Sequence, residues 1–431
     1  MKVFVLSSDR KPLDPTTPGR ARRLLTSGRA AVFRRFPFVI ILKNRTAETS
    51  VTHTHRLKFD PGSKVTGVAI QNEQGEVVYA AEIEHRGQTI KKGLDSRRGV
   101  RRGRRNRHCR YRQPRFDNRK KCKGWIAPSL NSRVENTITS ANRLRKYCPI
   151  TSLSMELVKF DTQLMANPEI SGVEYQQGEL QGYEVREYLL EKWDRKCAYC
   201  GAKDVPLQVE HINPRSRHGS KRVSNLTLAC QTCNQEKGNQ TAAEFGHPEI
   251  QAQAQQPLRD AAVVNITRWA LFERLKQTGL PVECGTGGRT KYNRTRLGLP
   301  KTHWIDAACV GVSGEDVKVA STMQALHIKA MGHGSRQMCK MDRFGFPRTK
   351  AKSARVVKGF RTGDLVQATL PMGKNVGTHQ GRVAVRSSGS FNIQKAGSVV
   401  QGISWKYCHL LQHSDGYAYS FTKGEGASSR R

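Results

Sequence analysis

Two closely spaced cysteine pairs are the most specific candidate for chemistry in this sequence. Cys197 and Cys200 form one CxxC pair, Cys230 and Cys233 form a second, and 29 residues separate the two pairs. Four thiolates match the closed tetrahedral coordination of a structural Zn²⁺ ion. Because the separation is longer than that of a simple zinc ribbon, a second element must fold between the pairs. We therefore expect a four-cysteine zinc site that holds a larger motif together.

Four polar residues in and just after that interval could perform hydrolysis. They are Glu210, His211, Asn225 and Asn234. An imidazole on a strand can take a proton from water, and Mg²⁺ held by an acid and an amide can polarise a phosphate. The alternative is a zinc motif whose role is structural only.

The spacing of these four residues around a four-cysteine site resembles that of the HNH endonucleases. The resemblance implies a ββα-metal domain in which His211 is the general base. It further implies that Glu210 and Asn234 hold one Mg²⁺ and that Asn225 supports the loop carrying the base.

Three acidic residues that are far apart in the sequence form a second candidate centre. Asp60 follows an apolar strand and precedes Pro-Gly-Ser, Glu156 ends another strand, and Asp306 lies three residues after His303 on one predicted helical face. Burying a carboxylate costs free energy unless it is paired, protonated or bound to metal. Asp and Glu that hold two Mg²⁺ about 3.5–4 Å apart are the usual arrangement for in-line phosphodiester cleavage. Taken singly, each acid also fits a turn, an exposed strand end or a helix N-terminus.

The order of these motifs resembles a split RuvC (RNase H-like) nuclease with an HNH module inserted before its last part. The resemblance implies that Asp60, Glu156 and Asp306 hold two Mg²⁺ and that His303 belongs to the same centre. His303 would act on the attacking water or on the leaving group, and the sequence leaves both roles open.

The densest basic run lies between the strands that carry Asp60 and Glu156. On a helix its guanidinium groups would point in all directions, which suits contact with phosphate backbones on several sides. The alternative is a solvated basic linker. In its position the run resembles the bridge helix of RNA-guided nucleases. Its candidate nucleic-acid-binding residues are Arg97, Arg98, Arg101, Arg102, Arg104, Arg105, Arg107, Arg110, Arg112, Arg115 and Arg119.

Composition indicates which partners and compartments suit the chain. The 431 residues include 74 Lys and Arg against 35 Asp and Glu, a formal charge of +39, so nucleic acid is the expected partner. A hydrophobic fraction of 37% still allows folded cores. We see neither a signal peptide nor an apolar stretch near the ~20 residues of a membrane span, so we expect a soluble, intracellular protein without a membrane partner. Eleven cysteines then serve as thiols or metal ligands rather than disulfides.

Over its full length the order of parts resembles the IscB family, transposon-associated relatives of the CRISPR type II effector nucleases. The resemblance implies an RNA-guided DNA endonuclease with two Mg²⁺ in the RuvC centre, one Mg²⁺ in the HNH centre and a structural Zn²⁺. It implies a structured guide (omega) RNA and a double-stranded DNA target with a short flanking motif, bound by a protein monomer in a ribonucleoprotein. The HNH centre would cut the guide-paired strand and the RuvC centre the displaced strand.

The expected fold class is multidomain α/β, with a split RNase H-like domain and a β-rich C-terminal domain. The N-terminal tetrapeptide Pro12-Leu13-Asp14-Pro15 departs from the name-giving motif of the family's PLMP domain. Residues 334–348 resemble the start of the family's C-terminal domain, the candidate reader of the flanking motif. The expected segments are a PLMP-like domain (1–52), RuvC part I (53–92), the bridge helix (93–125), RuvC part II (126–175), the HNH domain (176–256), RuvC part III (257–330) and the C-terminal domain (331–431).

Two competing functions remain open from the sequence. One is a guide-independent HNH endonuclease of the homing or restriction type, which would cut fixed sites after RNase treatment. The other is a non-catalytic RNA-binding protein, in which the positive charge matters and the acidic residues do not.

Overall fold

The computed structural model is described here over nine stretches of the chain. Residues 107–124 and 334–347 lie outside them, so the structure does not place Arg107, Arg110, Arg112, Arg115 or Arg119, or most of the predicted C-terminal start motif. The described stretches are 1–106, 125–157, 183–203, 205–256, 261–332, 348–350, 354–373, 375–395 and 397–421.

The N-terminal residues form a small four-stranded unit. Its elements are β1 (Val3–Leu6), β2 (Pro12–Thr16), α1 (Pro18–Thr26), β3 (Ala30–Arg34) and β4 (Val39–Leu42). The strand order is β2-β1-β4-β3, with β1 parallel to β4. Helix α1 begins where the Thr17 hydroxyl accepts a hydrogen bond from the Arg20 N–H and where Pro18 supplies a preset backbone angle.

The next segment provides four strands of a central sheet. Its elements are β5 (His55–Pro61), β6 (Val65–Asn72), β7 (Val77–Glu84), α2 (Gly87–Asn106), α3 (Pro128–Arg145) and β8 (Ile150–Glu156). Strands β5, β6 and β7 are an antiparallel meander, and β8 returns parallel to β5.

The cysteine-rich segment folds around a two-stranded hairpin with its own small core. Its elements are α4 (Tyr183–Lys192), β9 (Leu207–His211), β10 (Leu226–Cys230), α5 (Gln231–Lys237) and α6 (Glu249–Gln255). Strands β9 and β10 are antiparallel, and Leu189, Trp193 and Leu228 are buried between the hairpin and its helices.

The chain then returns to the central sheet. This segment contains α7 (Ala261–Lys276), β11 (Val282–Gly285), α8 (Gly287–Arg296), α9 (His303–Ala308) and β12 (Leu326–Ala330). The central sheet has the order β11-β8-β5-β6-β7-β12, and β11 is parallel to β8. Strands from three separated segments therefore form one sheet.

The C-terminal part of the described chain is rich in short strands. They are β13 (Val356–Val357), β14 (Phe360–Arg361), β15 (Leu365–Leu370), β16 (Gly377–Ala384), β17 (Ser390–Lys395), β18 (Ser398–Ser404), β19 (Cys408–Gln412) and β20 (Tyr417–Phe421). Five of them form an antiparallel sheet in the order β18-β17-β16-β15-β19. Strand β20 instead pairs with β12 and forms the edge of the central sheet.

Helices cover both faces of the central sheet. On one face Leu144 of α3 and Leu271 of α7 pack in one cluster with Leu57 of β5. On the other face Ala308 of α9 packs in a second cluster with Ala69 of β6. Burying each such leucine contributes about 1.5–3 kcal/mol. The mixed α/β class predicted from the sequence is confirmed.

Within the described stretches, none of the helices combines the length and the apolar character needed to cross a bilayer.

Candidate active sites

The three acidic residues predicted from separate motifs line one cleft at the edge of the central sheet. Asp60 lies at the end of β5 and Glu156 at the end of β8, and these strands are parallel neighbours, so their carboxyl ends coincide. Asp306 and His303 come from α9, which packs against β5 and β6. The cleft has a volume of about 200 Å³. We call this site the carboxylate cleft.

A close backbone contact positions the start of α9 beside Asp60. Gly67 of β6 pairs with Asp60 in the sheet, and a Cβ added at Gly67 would lie 1.8 Å from the carbonyl oxygen of His303. Only a glycine permits so close an approach. The Thr302 hydroxyl caps α9 by accepting a hydrogen bond from the Ile305 N–H at 3.3 Å. His303 Nδ1 consequently lies 4.0 Å from Asp60 Oδ2.

Two arginines that sequence reasoning did not select neutralise the other two acids. Arg268 of α7 places a terminal guanidinium nitrogen 3.0 Å from Glu156 Oε1, and Arg294 of α8 places Nε 2.9 Å from Asp306 Oδ1. Burial raises the pKa of Asp306 above its usual value, and Arg294 partly offsets that rise. Arg294 stands in a basic segment, where a buried partner has no distinctive sequence pattern. Arg268 is instead the one charged residue in the apolar stretch 261–272, a pattern that indicates burial.

The donors of the carboxylate cleft suit Mg²⁺, although they are not gathered as ligands in this arrangement. Carboxylate oxygens are the hard donors that Mg²⁺ prefers, and Asp60 and Glu156 are largely buried, with side chains 14% and 9% exposed. In the described part of the chain, the four cysteines bring their donor atoms within 4.8 Å of one another, whereas the three carboxylates do not. Residues Asp60, Glu156 and Asp306 would hold the ion after the arginine contacts loosen.

The four predicted zinc cysteines converge in the cysteine-rich segment. The Sγ atoms of Cys197, Cys200, Cys230 and Cys233 all lie within 4.8 Å of one another. Cys200 Sγ and Cys230 Sγ are 3.8 Å apart, and Zn–S bonds of about 2.3 Å in a tetrahedron require about this separation. The cluster therefore has the donor set and the spacing of a structural zinc site.

Glu210 points into the interior beneath the β9–β10 hairpin and contacts two polar side chains. Its Oε2 accepts a hydrogen bond from the Tyr199 hydroxyl at 2.7 Å, and its Oε1 accepts one from Lys237 Nζ at 2.7 Å. Lys237 is buried and also donates to the carbonyl oxygen of His211 at 3.0 Å. For Glu210 to hold a metal ion, this ion pair would have to open or to share the carboxylate.

His211 follows Glu210 on the strand and has the properties of a neutral imidazole. Burial lowers its pKa below the usual value, and nearby Arg215, Lys237 and Lys221 lower it further, against the opposing effect of Glu210. Its Nε2 is buried and has no hydrogen-bond partner among the described residues. A neutral ring nitrogen of this kind can accept a proton from water.

The two predicted asparagines have different surroundings. Asn225 Nδ2 donates to the carbonyl oxygens of Asn213 and Ser220, and Asn225 Oδ1 accepts from the Asn213 N–H at 2.9 Å. Asn225 thereby braces the loop that follows His211. Asn234 lies on α5, and its amide donates to Gln208 Oε1 at 2.6 Å.

The described part of the arginine-rich run is a helix that extends into solvent. Helix α2 spans Gly87–Asn106, and every residue in 94–103 is exposed. Arg97, Arg98, Arg101 and Arg102 are among them, whereas the surroundings of the side chains at 104 and 105 lie outside the described features. Exposed arginines at these positions give the helix a strongly positive surface, which favours contact with a polyanion.

Two known protein families match parts of this chain. Residues 3–178 match the RRXRR protein family, which is found in IscB-like and Cas9-like proteins, and residues 197–240 match the HNH endonuclease family. This chain is IscB-like. The IscB-like chain thus carries an HNH endonuclease domain that includes both cysteine pairs, Glu210, His211 and both asparagines.

The IscB-like chain is also similar to solved structures of Streptococcus thermophilus Cas9, described as complexes with AGAA, AGGA and GGAA PAM. In each comparison the identity is 13%, covering 60% of this chain and 32% of the Cas9 chain, and the TM-scores are 0.22, 0.24 and 0.22. The IscB-like chain therefore spans about a third of the length of these Cas9 chains. The curated proteins contain no match to it.

Proposed function

We propose that this chain is an RNA-guided DNA endonuclease with two metal-dependent centres, one in the HNH domain and one in the carboxylate cleft. The observation that carries the proposal is the convergence of Asp60, Glu156, Asp306 and His303 from three separated segments on one cleft. A sheet assembled from those segments supports a split RuvC domain, formed by parts 53–92, 126–175 and 257–330.

In the carboxylate cleft, Asp60, Glu156 and Asp306 would hold two Mg²⁺. Such ions polarise the scissile phosphate and lower the pKa of an attacking water. His303 is half-exposed and lies beside Asp60, where it can exchange a proton with solvent during attack or departure. These carboxylates are largely buried, and Arg268 and Arg294 already offset part of their negative charge. Bound metal ions would supply further positive charge towards the nucleic-acid backbone.

In the HNH domain, His211 acts as the general base, and Asn225 keeps its loop in place. Glu210 and Asn234 would hold one Mg²⁺, which polarises the phosphate when bound. The four-cysteine cluster with Zn²⁺ would fix the hairpin against α5, since Cys230 ends β10 and Cys233 lies on α5.

The positive charge supports a structured guide RNA as the main partner. A charge of +39 on a chain this short suits an RNA that does much of the work of enclosing the target duplex. The arginine-rich segment 93–125 would act as a bridge between guide phosphates. Residues 1–52 would be the PLMP-like domain, and the β-rich part within 331–431 would contact RNA and the DNA motif beside the target.

The proposal is tested by strand-resolved cleavage of a plasmid with the co-purified RNA reprogrammed to a new target. Asp60→Ala and His211→Ala should each convert linear product to nicked circles, with the surviving nick on opposite strands. Asp316→Ala, an acid whose side chain is 94% exposed, is the control and should still linearise the plasmid. Loss of both nicks in either single variant contradicts two independent centres. Cutting that ignores the guide sequence or survives RNase treatment contradicts RNA guidance.

A further inference from the structure

Arg268 and Arg294 take their places in the carboxylate cleft from two different helices, α7 and α8. Their side chains are only 7% and 10% exposed, an unusual degree of burial for arginine. Each contacts a different acid that we assign to metal binding, Glu156 and Asp306 respectively. A chance surface ion pair would not place two buried guanidinium groups in a single cleft.

The Arg268 contact ties together two strand ends of the cleft. Its Nε donates to the carbonyl oxygen of Pro61 at 3.2 Å, directly after Asp60, while a terminal nitrogen contacts Glu156. The guanidinium group therefore holds the end of β5 beside the end of β8. This contact keeps Asp60 and Glu156 in register in the absence of a divalent cation.

The Arg294 contact is close but poorly directed. Nε lies 2.9 Å from Asp306 Oδ1, yet this buried N–H makes no aligned hydrogen bond to any described residue. Attraction between the charges therefore dominates the pairing. A pair of this kind gives up its carboxylate more readily than a bidentate one.

Electrostatics make the arginines and a divalent cation competitors for the same acids. Lys291 and Lys301 also line the cleft, so its walls already carry several positive charges. Adding one or two Mg²⁺ within about 4 Å of a guanidinium group is repulsive at any dielectric constant. Metal entry therefore requires the arginine contacts to lengthen.

We propose that Arg268 and Arg294 are positioning residues that serve as resident counter-ions, holding Glu156 and Asp306 in place until a divalent cation replaces them. This inference rests on the proposed metal-binding function of the cleft. If the inference holds, the two arginines have opposite effects on the stability of the metal-free protein and on its affinity for metal. They stabilise the metal-free protein, and they weaken its affinity for metal.

The experiment measures Mn²⁺ binding to the full-length, zinc-loaded chain by calorimetry and by electron paramagnetic resonance of free Mn²⁺. Arg268→Gln and Arg294→Gln should each bind the cleft ion about tenfold more tightly. Both should also have a lower Tm without Mn²⁺, because each leaves a buried carboxylate unneutralised. Arg268→Lys retains the charge and should bind Mn²⁺ with nearly the parent affinity.

Matched controls are available on the same two helices. Arg274 of α7 pairs with Glu135, and Arg289 of α8 pairs with Glu315, and all four side chains are at least 40% exposed. Arg274→Gln and Arg289→Gln should change Mn²⁺ affinity by less than about twofold. Asp306→Asn identifies the signal of the cleft, because it should remove that binding component.

The outcomes separate this inference from the proposed function. If Asp306→Asn leaves Mn²⁺ binding unchanged, the cleft is not a metal site and the proposed function fails there. Asp306→Asn is expected to remove one Mn²⁺-binding component. If it does, but both glutamine variants bind that Mn²⁺ with an affinity equal to or weaker than the parent's, the counter-ion role is overturned and the metal site stands. Should a glutamine variant unfold without metal, its rise in Tm on adding Mn²⁺ measures the same linkage and must exceed the parent's rise.

Discussion

Glu210 is a buried carboxylate that contacts two polar side chains and that we propose as a metal ligand. Its carboxylate is shared between Tyr199 and Lys237 beneath the HNH hairpin. Lys237 also donates a hydrogen bond to the backbone carbonyl of His211, so one ammonium group connects Glu210 to the residue that follows it. Such a buried ion pair adds little net stability compared with well-packed apolar residues. Removing only one partner is costly, because the other charge then stays buried without a counter-ion.

Removing the Lys237 ammonium group should destabilise the HNH domain. We expect Lys237→Met to lower the free energy of unfolding by about 3–5 kcal/mol, because Glu210 would remain buried and unneutralised. Urea unfolding followed by the fluorescence of Trp193, which packs in this core, measures the change. Lys221→Met, an exposed control, should have little effect. Adding Glu210→Gln to Lys237→Met should recover much of the loss, and failure to do so contradicts the coupling of the pair.

His85 offers a test of pH dependence away from either centre. It follows β7, and its Nε2 lies 2.7 Å from Thr66 Oγ1. Burial, with the positive charge of Arg133, lowers its pKa to about 3. The unfolded chain binds a proton near pH 6.5 and the folded chain does not, so this residue reduces stability as pH falls from about 6.5 towards 3.

Replacing His85 should flatten that part of the stability profile. Between about pH 6.5 and 5 the parent should lose roughly 1 kcal/mol per pH unit through this group, and His85→Gln should remove that slope. Thermal unfolding across this range measures it. His53→Gln is the control, because the Asp14 hydrogen bond raises the pKa of His53 and gives the opposite sign. An unchanged slope in His85→Gln contradicts the assignment.

At the scale of elements, the packing of α9 on β6 decides the geometry of the carboxylate cleft. The short helix carries both His303 and Asp306, and its first residue touches Gly67 through the backbone. Thr302 fixes where the helix begins. The geometry of the cleft therefore depends on the absence of a side chain at Gly67 as much as on the acids themselves.

A methyl group at Gly67 should displace α9 and damage one centre selectively. We expect Gly67→Ala to cost about 1–3 kcal/mol of stability through overpacking. It should lower cleavage by the cleft about 100-fold, since misplacement near ~1 Å has effects of this size. Cleavage by the HNH centre should persist, and strand-resolved nicking distinguishes the two. Gly19→Ala adds its methyl group to open space and is the control. Equal loss of both nicks contradicts a local effect.

At the scale of the whole molecule, the net positive charge favours a polyanionic partner. The chain carries +39, and the exposed arginines of α2 form part of that excess. Binding to RNA should release counterions and weaken steeply with salt. Because these arginines lie together on α2, we expect this helix to provide a large share of the salt dependence of RNA binding.

Neutralising four arginines of α2 should reduce the salt dependence of RNA binding. Arg97, Arg98, Arg101 and Arg102 changed together to Gln should lower the slope of log K against log salt by about 3. Filter binding of the co-purified RNA at several salt concentrations measures the slope. A control with the same charge change uses exposed or half-exposed arginines of the N-terminal unit, namely Arg20, Arg22, Arg23 and Arg29. If the control variant lowers the slope of log K against log salt as much as the α2 variant does, a dedicated role for the helix is contradicted.

The sequence by itself determined the local features of this protein. Cysteine spacing identified the four-cysteine cluster because closely spaced ligands meet within one turn or hairpin. The apolar strand before Asp60 and the helical spacing of His303 and Asp306 located β5 and α9, because periodicity depends on neighbours in the chain. Family resemblance supplied the expectation that Asp60, Glu156 and Asp306 belong together.

Only the tertiary structure decided which charges neutralise the acids. Arg268 meets Glu156 across 112 positions of sequence, and Lys237 meets Glu210 across 27. Lys237 does not differ locally from the many exposed lysines. Arg268 is the one charged residue in the apolar stretch 261–272, which indicates burial, but the sequence does not show which acid it meets. Their roles follow from burial, and burial depends on how sheet and helices pack, which is a property of contacts distant in the chain.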